Sequence, residues 1–146
     1  MTNVLAGQEI AQRISQAFPQ AVIESGGGSA VIRAEDLVKV VEFLKSDPAQ
    51  SCNYLTDLTS VDYQNYFEVV YRLSSLERNT MLVLKVRCYD RDNPALPSIT
   101  SLYRGADLME REVFDLMGIK FAGHPNPERI FLWEGFQGHP LRKDYL

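Results

Sequence analysis

"YFEVVYRLSSLERNTMLVLKVRCY", residues 66–89, decides the architecture. In its first half Phe67, Val69, Tyr71 and Leu73 fall on one side of an extended chain. Glu68 and Arg72 fall on the other, with Val70 between them. In its second half Leu82, Leu84, Val86 and Cys88 share a side, opposite Lys85 and Arg87. A period of two is the mark of a strand. Apolar residues on one side and charges on the other predict a sheet with one buried and one partly wetted face. The link "SLERN", residues 75–79, is too short for a crossover, so the two strands form an antiparallel hairpin.

The same reading extends upstream. "CNYLTDLTSVDY", residues 52–63, is a third β-branched and aromatic run. From Ala34 to Lys45 the residues Leu37, Val40, Val41 and Leu44 make one apolar helical stripe, and Glu35 and Asp36 suit the positive end of the helix dipole. "AVIESGGGSAVIR", residues 21–33, puts two short β-rich runs around Gly26, Gly27 and Gly28 and reads as a hairpin. A phosphate-cradling loop would need a helix straight after the glycines, and "AVIR" is strand-like instead. Ile10, Ile14, Ala17 and Phe18 predict an amphipathic helix over residues 7–18, stopped by Pro19.

Downstream, "DRDNPALPS", residues 90–98, reads as a loop, followed by a short helical turn near Ile99 and Leu102. The last helix runs from about Gly105 to Met117, with Ala106, Met109, Val113, Leu116 and Met117 on one side and Gly118 as its left-handed stop. Beyond it periodicity disappears, yet Phe121, Ile130, Phe131, Leu132, Trp133 and Phe136 are too aromatic for a disordered tail. The expectation is an α+β two-layer sandwich. It has a mixed, mostly antiparallel sheet, helices on one face and an extended C-terminal arm. Residues 1–118 form the α+β body and residues 119–146 the arm, within a single domain.

Composition narrows the function classes. The chain of 146 residues is 45% hydrophobic and 23% charged, with net charge -4 and interspersed signs. It lacks the basic footprint of a nucleic-acid binder and any apolar run approaching the ~18 residues of a membrane span. The start, "MTNVLAGQEIAQRISQAF", lacks the blocks of a signal peptide. Cys52 and Cys88 are isolated and read as packed thiols in a reducing compartment.

The charged stretch "EREVFDLMGIKFAGHP", residues 110–125, raises the question of chemistry. Residues three or four apart share a helix face, so Glu112 and Asp115 converge, Glu110 points elsewhere, and Arg111 reaches Asp115 as an intrahelical ion pair. The acids are expected to face solvent or an interface. His124 before Pro125 and His139 before Pro140 read as turn residues whose rings cap backbone groups or meet a partner. A metal-dependent enzyme built on both histidines is the rival reading, but no HExxH or Cys/His cluster supports it. Arg129, Arg142 and Lys143 project charge, and Phe131, Trp133 and Phe136 are the kind of aromatics that anchor interfaces; the arm's length and lack of secondary structure favour docking on partners over the alternative, in which it folds back on its own sheet.

"ADLMEREVFDLMGIKFAGHPNPERI", residues 106–130, with "WEGFQGHPLRKDY", residues 133–145, closely resembles the 30 kDa subunit family of respiratory complex I. Glu110, Arg111, Glu112, Asp115, Gly118, His124 and Arg129 match the family's motif, and the likeness covers roughly residues 35–146. One position departs: Glu128 stands where relatives usually carry the first of two basic residues. The resemblance implies a non-catalytic structural subunit of the hydrophilic arm of a proton-translocating NAD(P)H (or ferredoxin):quinone oxidoreductase. It implies no cofactor on this chain. The parent complex is expected to use iron–sulfur clusters and quinone, with FMN and NADH as further candidates. Partners would be the large hydrogenase-like (49 kDa-type) subunit and the iron–sulfur subunits. The location would be peripheral to the membrane, on the cytoplasmic or equivalent side. Pro125, Trp133, His139, Pro140, Arg142, Lys143 and Asp144 join the motif residues as interface candidates. A homologous subunit of a membrane-bound hydrogenase or of a deazaflavin-dependent dehydrogenase is the near alternative.

Overall fold

The computed structural model describes residues 2–126, 129 and 138–143. The elements are β1 (Asn3–Val4), α1 (Gly7–Ala17), β2 (Val22–Gly26), β3 (Ser29–Ile32), α2 (Leu37–Ser46) and β4 (Tyr54–Asp62). They continue with β5 (Phe67–Ser75), β6 (Thr80–Cys88), β7 (Ala95–Pro97), α3 (Ala106–Met117) and β8 (Lys120–Ala122). The main sheet has the order β2-β3-β6-β5-β4, with β1 also on β6.

The β5–β6 hairpin is the centre, as its alternation predicts, with Phe67 opposite Cys88 and Tyr71 opposite Leu84. The inward residues of both strands join Ile10 and Ile14 of α1, Leu37, Val40, Val41 and Leu44 of α2, and Val113 and Met117 of α3 in one core. All three helices therefore feed one face of the sheet. On the other face Glu68 is only 2% exposed. Arg87 (3.1 Å) and Lys85 (3.7 Å) lie over its carboxylate. Long side chains can cover apolar surface with their stems while their heads stay wet.

The sheet is mixed because β3 lies parallel to β6, Ser29 to Val83 through Ile32 to Val86, while β2–β3, β4–β5 and β5–β6 are antiparallel. β1 takes the earlier part of the same β6 edge, Asn3 beside Thr80 and Val4 beside Met81. Two residues carry no period, so β1 left no trace in the pattern. α1 starts very close to β3: a Cβ on Gly7 would stand 2.2 Å from the Ser29 carbonyl oxygen, so only glycine fits.

Three expectations need correction. The helix expected over 34–45 opens as a 3-10 turn, Ala34–Asp36, and becomes α-helical from Leu37 to Ser46. The loop expected over 90–98 contains β7, which pairs in parallel with β8, Leu96 beside Phe121. The arm is therefore not free of regular structure, and past position 118 the core continues through Ile119 and Phe121. The turn near Ile99 is present, with the Leu102 and Tyr103 N–H groups on the Ile99 carbonyl. No helix among the described residues is long and apolar enough to cross a membrane.

Candidate functional site

α3 carries the charged motif, and its faces separate the acids. Ala106, Glu110, Val113 and Met117 follow i, i+4, i+7, i+11 spacing, which is a single helix face, and all four are buried. Glu110 is 0% exposed. Its Oε1 accepts the Ser98 hydroxyl at 2.7 Å and its Oε2 accepts the Ile99 N–H at 2.8 Å. The Ser98 hydroxyl in turn accepts the Thr100 N–H at 3.1 Å. A single carboxylate thus ties the exit of β7 to α3. Burial pushes the Glu110 carboxyl above its ordinary value, against the lowering pull of the Ile99 and Ser98 hydrogen bonds and of His124.

His124 closes the same corner. Its side chain is 2% exposed. Nδ1 accepts the Asn126 N–H at 2.9 Å, which leaves Nε2 to donate to the Asp107 carbonyl at 3.0 Å. The Asp107 carboxylate lies 3.3 Å away and that of Glu110 4.0 Å.

At the other end of α3 the chain returns to meet the helix. The last four carbonyls of a helix have no partner within it. Here the Phe114 carbonyl accepts the Gly118 N–H, and that of Leu116 accepts the Leu141 N–H at 2.9 Å. The Met117 carbonyl accepts Arg142 Nε at 2.6 Å, and the Asp115 carbonyl accepts His139 Nδ1 at 3.0 Å. Residues 139–142 are in effect the C-cap of a helix more than twenty residues upstream in sequence. Arginine beside this end also suits the negative pole of the dipole. Gly118 is required twice. Its φ of +79 is the left-handed conformation that side chains resist, and an added Cβ would lie 2.7 Å from the His139 ring. Burial, with the charges of Arg129 and Arg142, pushes the His139 imidazole below its ordinary value.

Two ionic anchors complete the clasp. Asp115, 0% exposed, lies 3.2 Å from Arg129. Asp62, at the end of β4, binds Arg91 through both oxygens (2.6 and 3.0 Å) and accepts the Gln64 and Lys143 N–H groups at 2.8 and 2.9 Å. Arg91 holds the Asp62 carboxyl well below the usual carboxylate range. The guanidiniums of Arg91 and Arg142 both lie over the Phe67 ring, at 4.4 and 4.9 Å, in cation–π geometry.

The structure gathers most of the motif residues at the two ends of α3, but several of them point differently from the sequence reading. Glu110 does not point away from the fold; it lies in the core stripe. Asp115 is buried as well, so Glu112 is the one motif acid left exposed. Glu112 and Asp115 do not converge. Arg111 donates to the Arg129 carbonyl at 3.2 Å. His124 and His139 do cap backbone groups, but the carbonyls they hold are eight residues apart on α3, about 12 Å at 1.5 Å per residue. A single ion shared by both imidazoles fails on that distance. The arm residues Arg129, His139, Arg142 and Lys143 meet the chain's own body. The aromatic anchors Phe131, Trp133 and Phe136, with Glu128 and Asp144, lie outside the described residues. Asp62, Arg91 and Ser98 were missed. A signal for Glu110 existed: an acid at the i+4 position of an apolar stripe needs a buried partner. Asp62 offered none. Cys52 and Cys88 are buried, and burial pushes both thiols up to about 11.

A model of the respiratory-chain NADH dehydrogenase 30 kDa subunit family matches residues 30–146. An NADH-quinone oxidoreductase subunit of a Roseiflexus species is 44% identical over 142 residues, spanning 92% of this chain and 81% of its own length. Its counterpart from Moorella thermoacetica is 40% identical over 138 residues, spanning 92% of this chain and 91% of its own. Among solved structures, a chain of the membrane-bound sulfane sulfur reductase, an archaeal respiratory membrane complex, matches with TM-score 0.75 at 25% identity. That match covers 94% of this chain and 84% of the other.

Proposed function

Since the chain belongs to the respiratory-chain NADH dehydrogenase 30 kDa subunit family, we propose that it is a structural subunit of the peripheral arm of a quinone-reducing complex, with no redox step of its own. It sits beside the large hydrogenase-like subunit and the subunits that carry iron–sulfur clusters, on the cytoplasmic or equivalent side of the membrane. The observation that carries this reading is the engaged state of the motif. Glu110 is bound by Ser98 and Ile99, His124 by Asp107 and Asn126, Asp115 by Arg129, and His139 by the Asp115 carbonyl. Groups of the type that could serve as acid, base or ligand are fixing the path of the chain. A general base must keep a position from which it reaches a substrate proton, and these side chains are turned to backbone and to one another.

The test is purification of the chain from native membranes in mild detergent. Co-purification of the large subunit and cluster-bearing subunits in fixed ratio is expected. Recovery as a lone monomer with a bound stoichiometric metal would overturn the reading. The likeness to a chain of the archaeal sulfane sulfur reductase favours a second reading, in which the parent is a related respiratory complex with another electron partner. The higher identity to the quinone oxidoreductase relatives favours the first.

A further inference from the structure

A groove of about 290 Å³ runs between α3 and the outer side of β4. β4 ends the main sheet, and β5 is its partner in the strand order. The floor is apolar: Leu58 from β4, Val113 and Leu116 from α3, and Leu141 from the returning segment. Leu141 is 60% exposed, although its N–H is fixed to the Leu116 carbonyl. Leu108, one helical turn before Glu112, is 62% exposed. The charged residues lining the groove are Asp57 and Glu112, both acidic. Asp57 accepts the Leu58 N–H at 2.9 Å and keeps a long, half-exposed pair with Arg72 at 3.7 Å, and Glu112 is the motif acid that the fold leaves in solvent.

We propose that this groove is the docking site for a segment of the large partner subunit, one that carries an apolar side chain for the floor and an arginine or lysine for the Asp57–Glu112 rim. The inference rests on the family reading above and deepens it by assigning a surface. The acidic rim selects a cation. The volume lies at the lower limit of small-molecule pockets, which span roughly 300–1,000 Å³, and the groove follows a strand edge, where backbone groups favour another polypeptide. A second copy of this chain is a poor occupant. A two-fold contact sets the same patch against itself, so the acid rims would face each other, and like charges opposed across an interface weaken it.

The experiment co-expresses the chain with the large subunit of its own complex and measures the large subunit retained. Glu112→Arg and Leu141→Asp are each expected to weaken retention about tenfold or more (about 1.4 kcal/mol), with the thermal midpoint of the isolated chain unchanged. Arg13→Glu, at a half-exposed side chain of α1 paired with Glu9, is the control and retains the partner normally. Photoreactive residues at positions 112 and 13 provide an arm independent of folding: the first should cross-link the large subunit and the second should not. Wild-type retention in both variants, or equal cross-linking from both positions, would overturn the assignment. So would a dimer of the chain alone that Glu112→Arg dissolves. Failure of the wild-type chain to retain any large subunit would instead sink the family-based reading.

Discussion

Glu110 shows how a charge can be structural. A buried carboxylate is tolerated only with its oxygens occupied, and here a hydroxyl and an N–H occupy them. Glu110→Ala strands both donors, and each unsatisfied buried group costs about 1–3 kcal/mol. A loss of about 3 kcal/mol is expected in chemical denaturation, with Glu110→Gln milder. The pH dependence has a defined sign. The folded carboxyl holds its proton more tightly than the ordinary value of 4.5. Its contribution is therefore fully present below that value and is lost as pH rises through the raised one. In Glu110→Gln that decline should vanish from the stability-versus-pH curve. Reading Glu110 as outward-facing came from counting acids against acids. Counting it against Ala106, Val113 and Met117 puts it inside.

At the scale of elements, long periodic segments were legible and short ones were not. β4, β5, β6 and the three helices each show several repeats of their period. β7 and β8 have three residues each and pair across some twenty-five positions. The capping of α3 by residues 139–142 was equally out of reach, because its partners are remote in sequence. It makes Gly118 sensitive. Gly118→Ala combines a left-handed backbone, costing about 1–2 kcal/mol, with contact against His139 and Arg142. A loss near 3 kcal/mol is expected, a fall of about 6–12 °C in Tm. The cap also responds to pH. The folded His139 value lies below the ordinary 6.5, set by burial and by Arg129 and Arg142. A depressed histidine gives stability that is present above its unfolded value and lost as pH falls. Exchange of the Leu141 amide, corrected for intrinsic rate, should quicken as pH falls below the ordinary 6.5. His139→Gln should remove that change, and an unchanged rate in the wild type would refute it.

For the whole molecule, the clasp gathers α3, β7, β8 and the returning segment into one unit with the end of β4. α3 is held to β7 by Glu110, to β8 by the short turn at Gly118, and to the returning segment by its own carbonyls. Asp62 then ties that segment to the β4–β5 turn and to Arg91. The Asp62 carboxyl lies below the ordinary 3.8. Its support is therefore present above that value and lost as pH falls further, and Asp62→Asn should flatten the acid limb of unfolding. The two-layer architecture and the location of the motif were legible in the sequence. The path of residues 139–142 was not, since proline-rich character is the same whether a segment meets its own body or a neighbour. On the proposed function, the motif fixes the shape a partner recognises and takes no part in turnover. The most direct measurement is quinone reductase activity per assembled complex in membranes carrying Gly118→Ala. The expected result is less complex, each unit turning over at the wild-type rate; full assembly with turnover lost per complex would contradict it.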